Sequence, residues 1–242
     1  MPLAIEAGAH HLAAGNSGHE GRGVTHILIT GGNRGLGWAM VDAALERGWR
    51  VSLTHRGAAD GLPPGVRGFA LDVTDHAALA AMASQLGPLD VLINNAGVIG
   101  PQRQGALDMD FEGFAQTLAI NTLAPLAVAQ AVLPNLRAAG RGRVLSISSQ
   151  MAWMGYAKSD HLAYRASKVA LNKVMQGLAT ELAGEGIAVA LVDRGWVRTD
   201  MGGAAAELEP GPVARGILDL AARLEPAQSG RFFRHDGTER EF

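Results

Sequence analysis

From Thr25 onward the chain alternates short, almost wholly apolar runs with longer stretches in which apolar positions recur at helical spacing. The apolar runs predict strands at 26–30, 49–54, 66–72, 89–94, 143–148, 187–193 and 230–235. The stretches between them predict helices at 36–47, 75–86, 112–136, 161–183 and 211–224. Their ends carry the expected punctuation. Thr74 or Asp75 opens the second helix, Gly87-Pro88 closes it, and Gly48 and Gly184 stop the first and the fourth. Strands rich in Val, Ile and Leu without polar alternation are buried on both faces, as in a parallel sheet covered by helices. Their alternation with helices predicts an α/β fold: one Rossmann-type, doubly wound parallel sheet of about seven strands with helices on both faces. No repeat and no change of composition divides residues 24–242, which read as one domain. Residues 1–23, rich in Gly, Ala and His and without periodicity, read as a flexible N-terminal tail.

Composition narrows the function classes. With 48% hydrophobic and 18% charged residues, the chain has the material for one large core. Cysteine is absent, which excludes disulfides, thiolate nucleophiles and Cys-ligated metal centres and fits a reducing compartment such as the cytoplasm. A formal charge of −2 provides no electrostatic case for nucleic acid or an anionic membrane. The N-terminus carries Glu6, His10, His11, Asn16 and Glu20 rather than a continuous apolar stretch, so no secretory peptide is expected there. His10, His11 and His19 have no further ligand at helical spacing, and no metal is expected. Residues 113–136 lack charge but include Gln116, Asn121, Pro125, Gln130 and Pro134, groups that a bilayer interior tolerates poorly. They predict a buried core helix instead.

Thirty-two of the 242 residues are glycine, about twice the usual share, so backbone must turn tightly or be approached closely in several places. The informative cluster is Thr30-Gly31-Gly32-Asn33-Arg34-Gly35-Leu36-Gly37, between the first strand and the first helix. Missing side chains there permit a tight turn, approach of a pyrophosphate, and close packing of helix on strand. The helix N-terminus then offers free N–H groups to phosphate. A plain turn would explain a lone glycine cluster; its strand–turn–helix placement favours a dinucleotide. No Gly-Lys-Ser/Thr follows, which excludes a nucleoside-triphosphate loop. The second strand ends Leu53-Thr54-His55-Arg56 with no carboxylate before Asp60. A carboxylate at this place binds a ribose 2′-hydroxyl, whereas arginine suits a 2′-phosphate. Arg56, seconded by Arg34, therefore favours NADP(H) over NAD(H), against the plainer reading of two solvated arginines.

On a helix, residues four apart share a face, so Tyr164 and Lys168 project together. A phenol, ordinarily near pKa ~10, moves protons at neutral pH where a cation stabilises its anion. Lys168 supplies that charge, although such pairs also arise by chance. Ser146-Ile147-Ser148-Ser149 ends the fifth strand at its carboxyl end, where open α/β sheets bind ligands. Its hydroxyls either tie off backbone groups or, at Ser149, hold a substrate carbonyl oxygen. No Gly-x-Ser-x-Gly turn surrounds Ser149, so a serine hydrolase is a poor reading. Asn121 lies four residues before Pro125, whose missing N–H frees the carbonyl of residue 121. The result is either a plain kink or a seat for an ordered water. Val98, Trp153, Met154, Trp196 and Met201 are expected to border an apolar pocket.

In this order, Thr30-Gly-x-x-x-Gly-x-Gly37, Asp72, Asn94-Asn95-Ala96-Gly97, Asn121, Ser149, Tyr164-x-x-x-Lys168 and Gly195…Thr199 resemble the short-chain dehydrogenase/reductase superfamily over about residues 25–235. The segments 164–168, 195–201 and 230–237 are most similar in wording to its C-factor and sniffer-type carbonyl reductase branch. The resemblance implies a carbonyl/alcohol oxidoreductase using NADP(H). It makes Tyr164 the general acid in reduction and the general base in oxidation. Lys168 then holds the nicotinamide ribose, Ser149 positions the substrate oxygen and Asn121 holds a relay water. The implied cofactor site runs through Gly31, Asn33, Arg34, Gly35, Leu36 and Gly37 to Arg56. Asp72 and Val73 sit at the adenine, Asn95, Ala96 and Gly97 along the cleft, and Val197 and Thr199 at the phosphate or carboxamide. A small-molecule carbonyl substrate and a homodimer or homotetramer paired through the long helices are further implications. Two positions depart from the pattern. Ser149 lies fifteen residues before Tyr164, which implies a small loop insertion, with Ser148 the less favoured candidate, and the family's Pro-Gly after the sixth strand reads Arg194-Gly195. The competing readings are a non-catalytic nucleotide-binding sensor, which has no need of Asn121, Ser149, Tyr164 and Lys168 together, and a lyase or epimerase on the same scaffold.

Overall fold

The apolar runs form the centre of one sheet, and the helical stretches cover it. A computed structural model describes residues 24–57, 61–155 and 157–242; the tail read at 1–23, with its histidines, lies outside the described residues. The first half comprises β1 His26–Ile29, α1 Gly35–Glu46, β2 Arg50–His55, β3 Arg67–Ala70, α2 His76–Ala83, β4 Val91–Asn94, β5 Gln104–Gly105 and β6 Asp108–Met109. The second comprises α3 Phe111–Leu118, α4 Ala124–Ala138, β7 Arg143–Ser148, α5 Leu162–Glu181, β8 Ala188–Asp193, α6 Pro210–Arg223, β9 Phe232–Arg234 and β10 Glu239–Arg240. Eight strands make the sheet in the order β10-β9-β8-β7-β4-β1-β2-β3, parallel throughout except between β9 and β10. β1, β4, β7 and β8 are buried at every residue, as strands with helices on both faces must be. Successive side chains point to opposite faces. Ile27, Ile29 and Ile93 pack with Met40 and Val41 of α1 and with Ile217 and Leu218 of α6. Leu28, Leu92 and Val144 pack with Val128 and Val132 of α4 and with Leu171 of α5. Each such buried side chain contributes roughly 1.5–3 kcal/mol.

The structure adds to the sequence expectations at three places. An eighth strand, β10, extends the sheet edge, and β5 and β6 form a small antiparallel hairpin. Elements of two residues are too short to show a period. The helix expected at 112–136 is interrupted, because α3 and α4 flank a π-helical turn, Ala119–Leu123, in which the Ala124 N–H donates to the Ala119 carbonyl. Pro125 has no N–H with which to continue the α pattern, and a wider turn accommodates it. By length and composition Phe111–Ala138 is able to cross a membrane, but half of its most apolar portion is buried. In this fold it is a core helix.

The chain leaves β1 for β2 on one side, whereas β4 lies on the other. At such a reversal the connections diverge and open a crevice at the carboxyl edge of the sheet.

Candidate active site

At that reversal β1 passes into α1 through the glycine-rich turn. Gly31 and Gly35 have φ of +64° and +54°, conformations that glycine adopts freely. Gly37 is required for space, since a Cβ there would meet the Gly31 carbonyl oxygen at 2.2 Å. Thr30 ties the turn to the end of β4: its hydroxyl accepts from the Asn95 and Ala96 N–H groups, both at 3.0 Å. Asn95 Nδ2 in return donates to the carbonyls of Thr30 and Gly31 at 2.9 and 3.1 Å. Arg34 precedes α1 without a side-chain cap, and no acidic residue occupies the first turn. First-turn N–H groups have no partner within a helix. Here they belong to Gly35, Leu36 and Gly37, all on the wall of one cleft.

The cleft encloses about 340 Å³, within the range of small-molecule sites. All residues expected against the cofactor line it except Val197, which is fully buried in the core. Thr54, His55, Ile120, Ile147 and Asp200 line it too and were not legible as site residues, although Thr54 and His55 end β2, where ligands are expected. Among the described residues, its charged lining is Arg34, Arg56, Lys168 and Arg194 against Asp72 and Asp200. Arg34 Nη1 lies 3.1 Å from Asp200, and Arg56 Nη1 lies 3.8 Å from Asp72. Both pairs are solvent-exposed and therefore weak. Asp72 Oδ1 also accepts from the Thr74 N–H and hydroxyl, at 2.9 and 2.7 Å. Those bonds, more than Arg56, hold its carboxyl below the usual carboxylate range.

The α5 face on this cleft carries Tyr164 and Lys168, 3% and 5% exposed. Lys168 Nζ lies 5.7 Å from the centre of the Tyr164 ring and donates to the Ile147 carbonyl at 2.7 Å. Burial, and secondarily the Arg194 guanidinium, pull the Lys168 pKa down to about 7. The start of α5 is held from a distance. His161, at φ +50°, provides no side-chain cap. Instead Gln104 Oε1 accepts from the Tyr164 N–H at 3.2 Å, while Gln104 Nε2 donates to the carbonyls of Ile99 and Pro101 at 3.2 and 2.8 Å. Sequence reading misses Gln104 because a cap supplied from 60 residues away has no local signature.

Asn121 is fully buried and does not line the cleft. Its Oδ1 accepts from the Val98 N–H at 2.9 Å, and its Nδ2 donates to the Val98 carbonyl and the Ser167 hydroxyl at 2.8 and 3.0 Å. It thereby ties the cleft wall at Val98 to α5. Ser149, just past β7, also lies outside the cleft lining. Its hydroxyl accepts from the Met151 N–H at 3.1 Å, and its own O–H remains a donor. Ser148 is more committed: it is fully buried and donates to Asn172 Oδ1 at 2.6 Å. Of the residues expected around an apolar pocket, Val98 and Met201 line the cleft, but Trp153, Met154 and Trp196 do not. The Trp153 ring packs against Gly155, Met154 is exposed, and Trp196 Nε1 is held at the surface by the Gly202 carbonyl at 2.8 Å.

Comparison with known proteins places this cleft in a family. The family model for short chain dehydrogenases matches residues 25–209. The C-signal protein of Myxococcus xanthus is 46% identical over 156 residues, which cover 63% of this chain and 92% of that protein. Carbonyl reductase Sniffer of D. melanogaster superposes with a TM-score of 0.85 at 28% identity, over 91% of this chain and 100% of that one. An NADPH-bound carbonyl reductase from chicken fatty liver superposes with a TM-score of 0.82 at 26% identity, over 90% and 99% of the two chains. Sequence and backbone agree: the chain belongs to the short-chain dehydrogenase family and is, as such, a nicotinamide-dependent oxidoreductase.

Proposed function

We propose that this protein is a carbonyl reductase that prefers NADP(H) to NAD(H) and reduces a small aldehyde, ketone or quinone, with alcohol oxidation as the reverse reaction. The observation that carries the reading is the placement of Tyr164 and Lys168 on the same cleft as an uncapped α1 N-terminus. The lining suits a phosphorylated dinucleotide, because cations outnumber carboxylates along it. The N–H groups at Gly35, Leu36 and Gly37 receive the diphosphate, with Gly31 and Asn33 shaping the turn around it. Arg34 and Arg56 exchange their weak carboxylate partners for a 2′-phosphate, which a guanidinium binds bidentately. Asp72 and Val73 flank the adenine, Asn95, Ala96 and Gly97 form the middle wall, and Thr199 meets the nicotinamide end, with Val197 packed in the core behind it. The bound reduced nicotinamide supplies the hydride.

This chain's residues do the rest. The Ser149 O–H donates to the substrate carbonyl oxygen and orients it. Tyr164 gives its hydroxyl proton to that oxygen as the alcohol forms. The Lys168 ammonium stabilises the phenolate left behind and donates to the nicotinamide ribose. Asn121 fixes the π-helical turn, whose carbonyl at residue 121, offered no N–H by Pro125, holds the water of the proton relay. Residues 24–242 act as one catalytic domain in the cytoplasm, as a homodimer or homotetramer. The test is turnover of the purified protein with NADPH or NADH against a panel of aldehydes, ketones and quinones, read as loss of reduced-nicotinamide absorbance. Faster turnover with NADPH is expected. NADPH binding without turnover of any carbonyl would replace this reading with the non-catalytic sensor.

A further inference from the structure

The loop after β8 sets an arginine at the reacting end of the cleft. Arg194 is half-buried and lines the same cleft as Tyr164 and Lys168. Its backbone is held, since the preceding residue, Asp193, is buried and accepts through Oδ1 from the Gln150 and Gly195 N–H groups, at 3.0 and 2.9 Å. Asp193 Oδ2 is paired with Arg240. The carboxylate is thereby turned to its own partners, and Arg194 does not share it.

The three arginines of the cleft differ in their partners. Arg34 and Arg56 have Asp200 and Asp72. Arg194 Nη2 donates to the Met201 thioether sulfur at 3.3 Å, a weak acceptor for a group with five N–H donors. A half-buried guanidinium with so poor a partner retains a strong claim on an anion. It is also close enough to Lys168 to oppose protonation of that ammonium. In the free protein the two carboxylates that line the cleft pair with Arg34 and Arg56 rather than with Arg194.

We propose that Arg194 is a specificity-determining residue that receives the carboxylate of a carbonyl substrate, so that the enzyme selects aldehydes or ketones bearing an acid group. The inference rests on the carbonyl reductase reading of the same site. Anionic groups of the cofactor are the other source of negative charge within reach, and the experiment separates the two.

The experiment uses the full chain with NADPH and a matched pair of substrates, para-carboxybenzaldehyde and its methyl ester, which share the reacting group and differ in charge. Arg194→Leu is expected to lower kcat/KM for the acid roughly ten- to a hundredfold, mainly through KM. It should leave the ester and the NADPH Kd within about twofold, since neither makes the charge-assisted contact. Arg194→Lys should recover part of the loss for the acid, because the charge remains while the bidentate geometry does not. Equal losses on acid and ester overturn the assignment, as does a weakened NADPH Kd that accounts for the whole effect. If the wild type reduces neither aldehyde nor any other carbonyl, the carbonyl reductase reading falls and the role of Arg194 falls with it. Turnover of both aldehydes without discrimination by Arg194 sinks the second alone.

Discussion

Tyr164 and phenylalanine differ by one oxygen atom, which makes Tyr164→Phe the cleanest probe of the proton donor. Ring packing persists, so NADPH affinity should hold while kcat falls by at least ~10²-fold; near-wild-type kcat would remove Tyr164 from the chemistry. Lys168 makes a pH-dependent prediction. Its folded value of about 7 lies below its ordinary 10.5, because burial penalises the cation. The free protein therefore carries the full penalty below about pH 7 and loses it progressively as pH rises toward 10.5. Urea unfolding of wild type and Lys168→Met should show the difference shifting in favour of wild type with rising pH, and a flat difference would contradict the burial. Arg56 is tested through the coenzyme. Arg56→Asp replaces a phosphate partner with a carboxylate that repels phosphate and accepts from a 2′-hydroxyl. The NADPH-to-NADH ratio of kcat/KM should fall by roughly tenfold or more. An unchanged ratio would assign the preference elsewhere.

Among elements, α5 shows how a catalytic helix is aimed by a residue outside it. His161, the residue before it, contributes no side-chain cap, and Gln104 on β5 meets the Tyr164 N–H while also holding Ile99 and Pro101. Gln104→Ala leaves one helix donor and two loop carbonyls without this partner. The expected cost is about 1–2 kcal/mol in urea unfolding, with a drop in kcat and little change in NADPH Kd, because the coenzyme wall at the glycine turn is untouched. A lower NADPH affinity with unchanged kcat would mean that Gln104 braces the wrong part of the cleft. The helix itself was readable from its spacing: the span expected at 161–183 contains Leu162–Glu181. The cap was not, since its donor and acceptor meet only after β5 and α5 come together. The π-helical turn at Ala119–Leu123 belongs to the same class. Pro125 announced an irregularity, but the wider turn and the Asn121 bonds to Val98 and Ser167 depend on the packed neighbours.

For the whole molecule, the surface has an association signal. Leu107, Phe111 and Leu123 are large apolar side chains left exposed along the β5–β6 hairpin, α3 and the π-helical turn. A two-fold interface is the commonest way to cover such a surface. Light scattering at micromolar concentration should report a dimer or tetramer. A monomer would show that this surface stays in water.

What the sequence determined by itself was everything encoded by neighbours along the chain. Unbroken apolar runs specified the central strands, β7 to the residue, and glycine spacing specified the turn before α1. Four-residue spacing put Tyr164 and Lys168 on one face. These follow from backbone periodicity and sterics, which act locally. The tertiary structure alone decided which distant groups complete them. It committed Ser148 to Asn172 and left the Ser149 O–H free as a donor. It turned Trp153 and Trp196 away from the cleft, tied Asp193 to Gln150 and Arg240, and brought Arg194 beside Lys168. Such choices depend on which strand ends become neighbours at the carboxyl edge, and that is settled by sheet order and close packing across the whole chain.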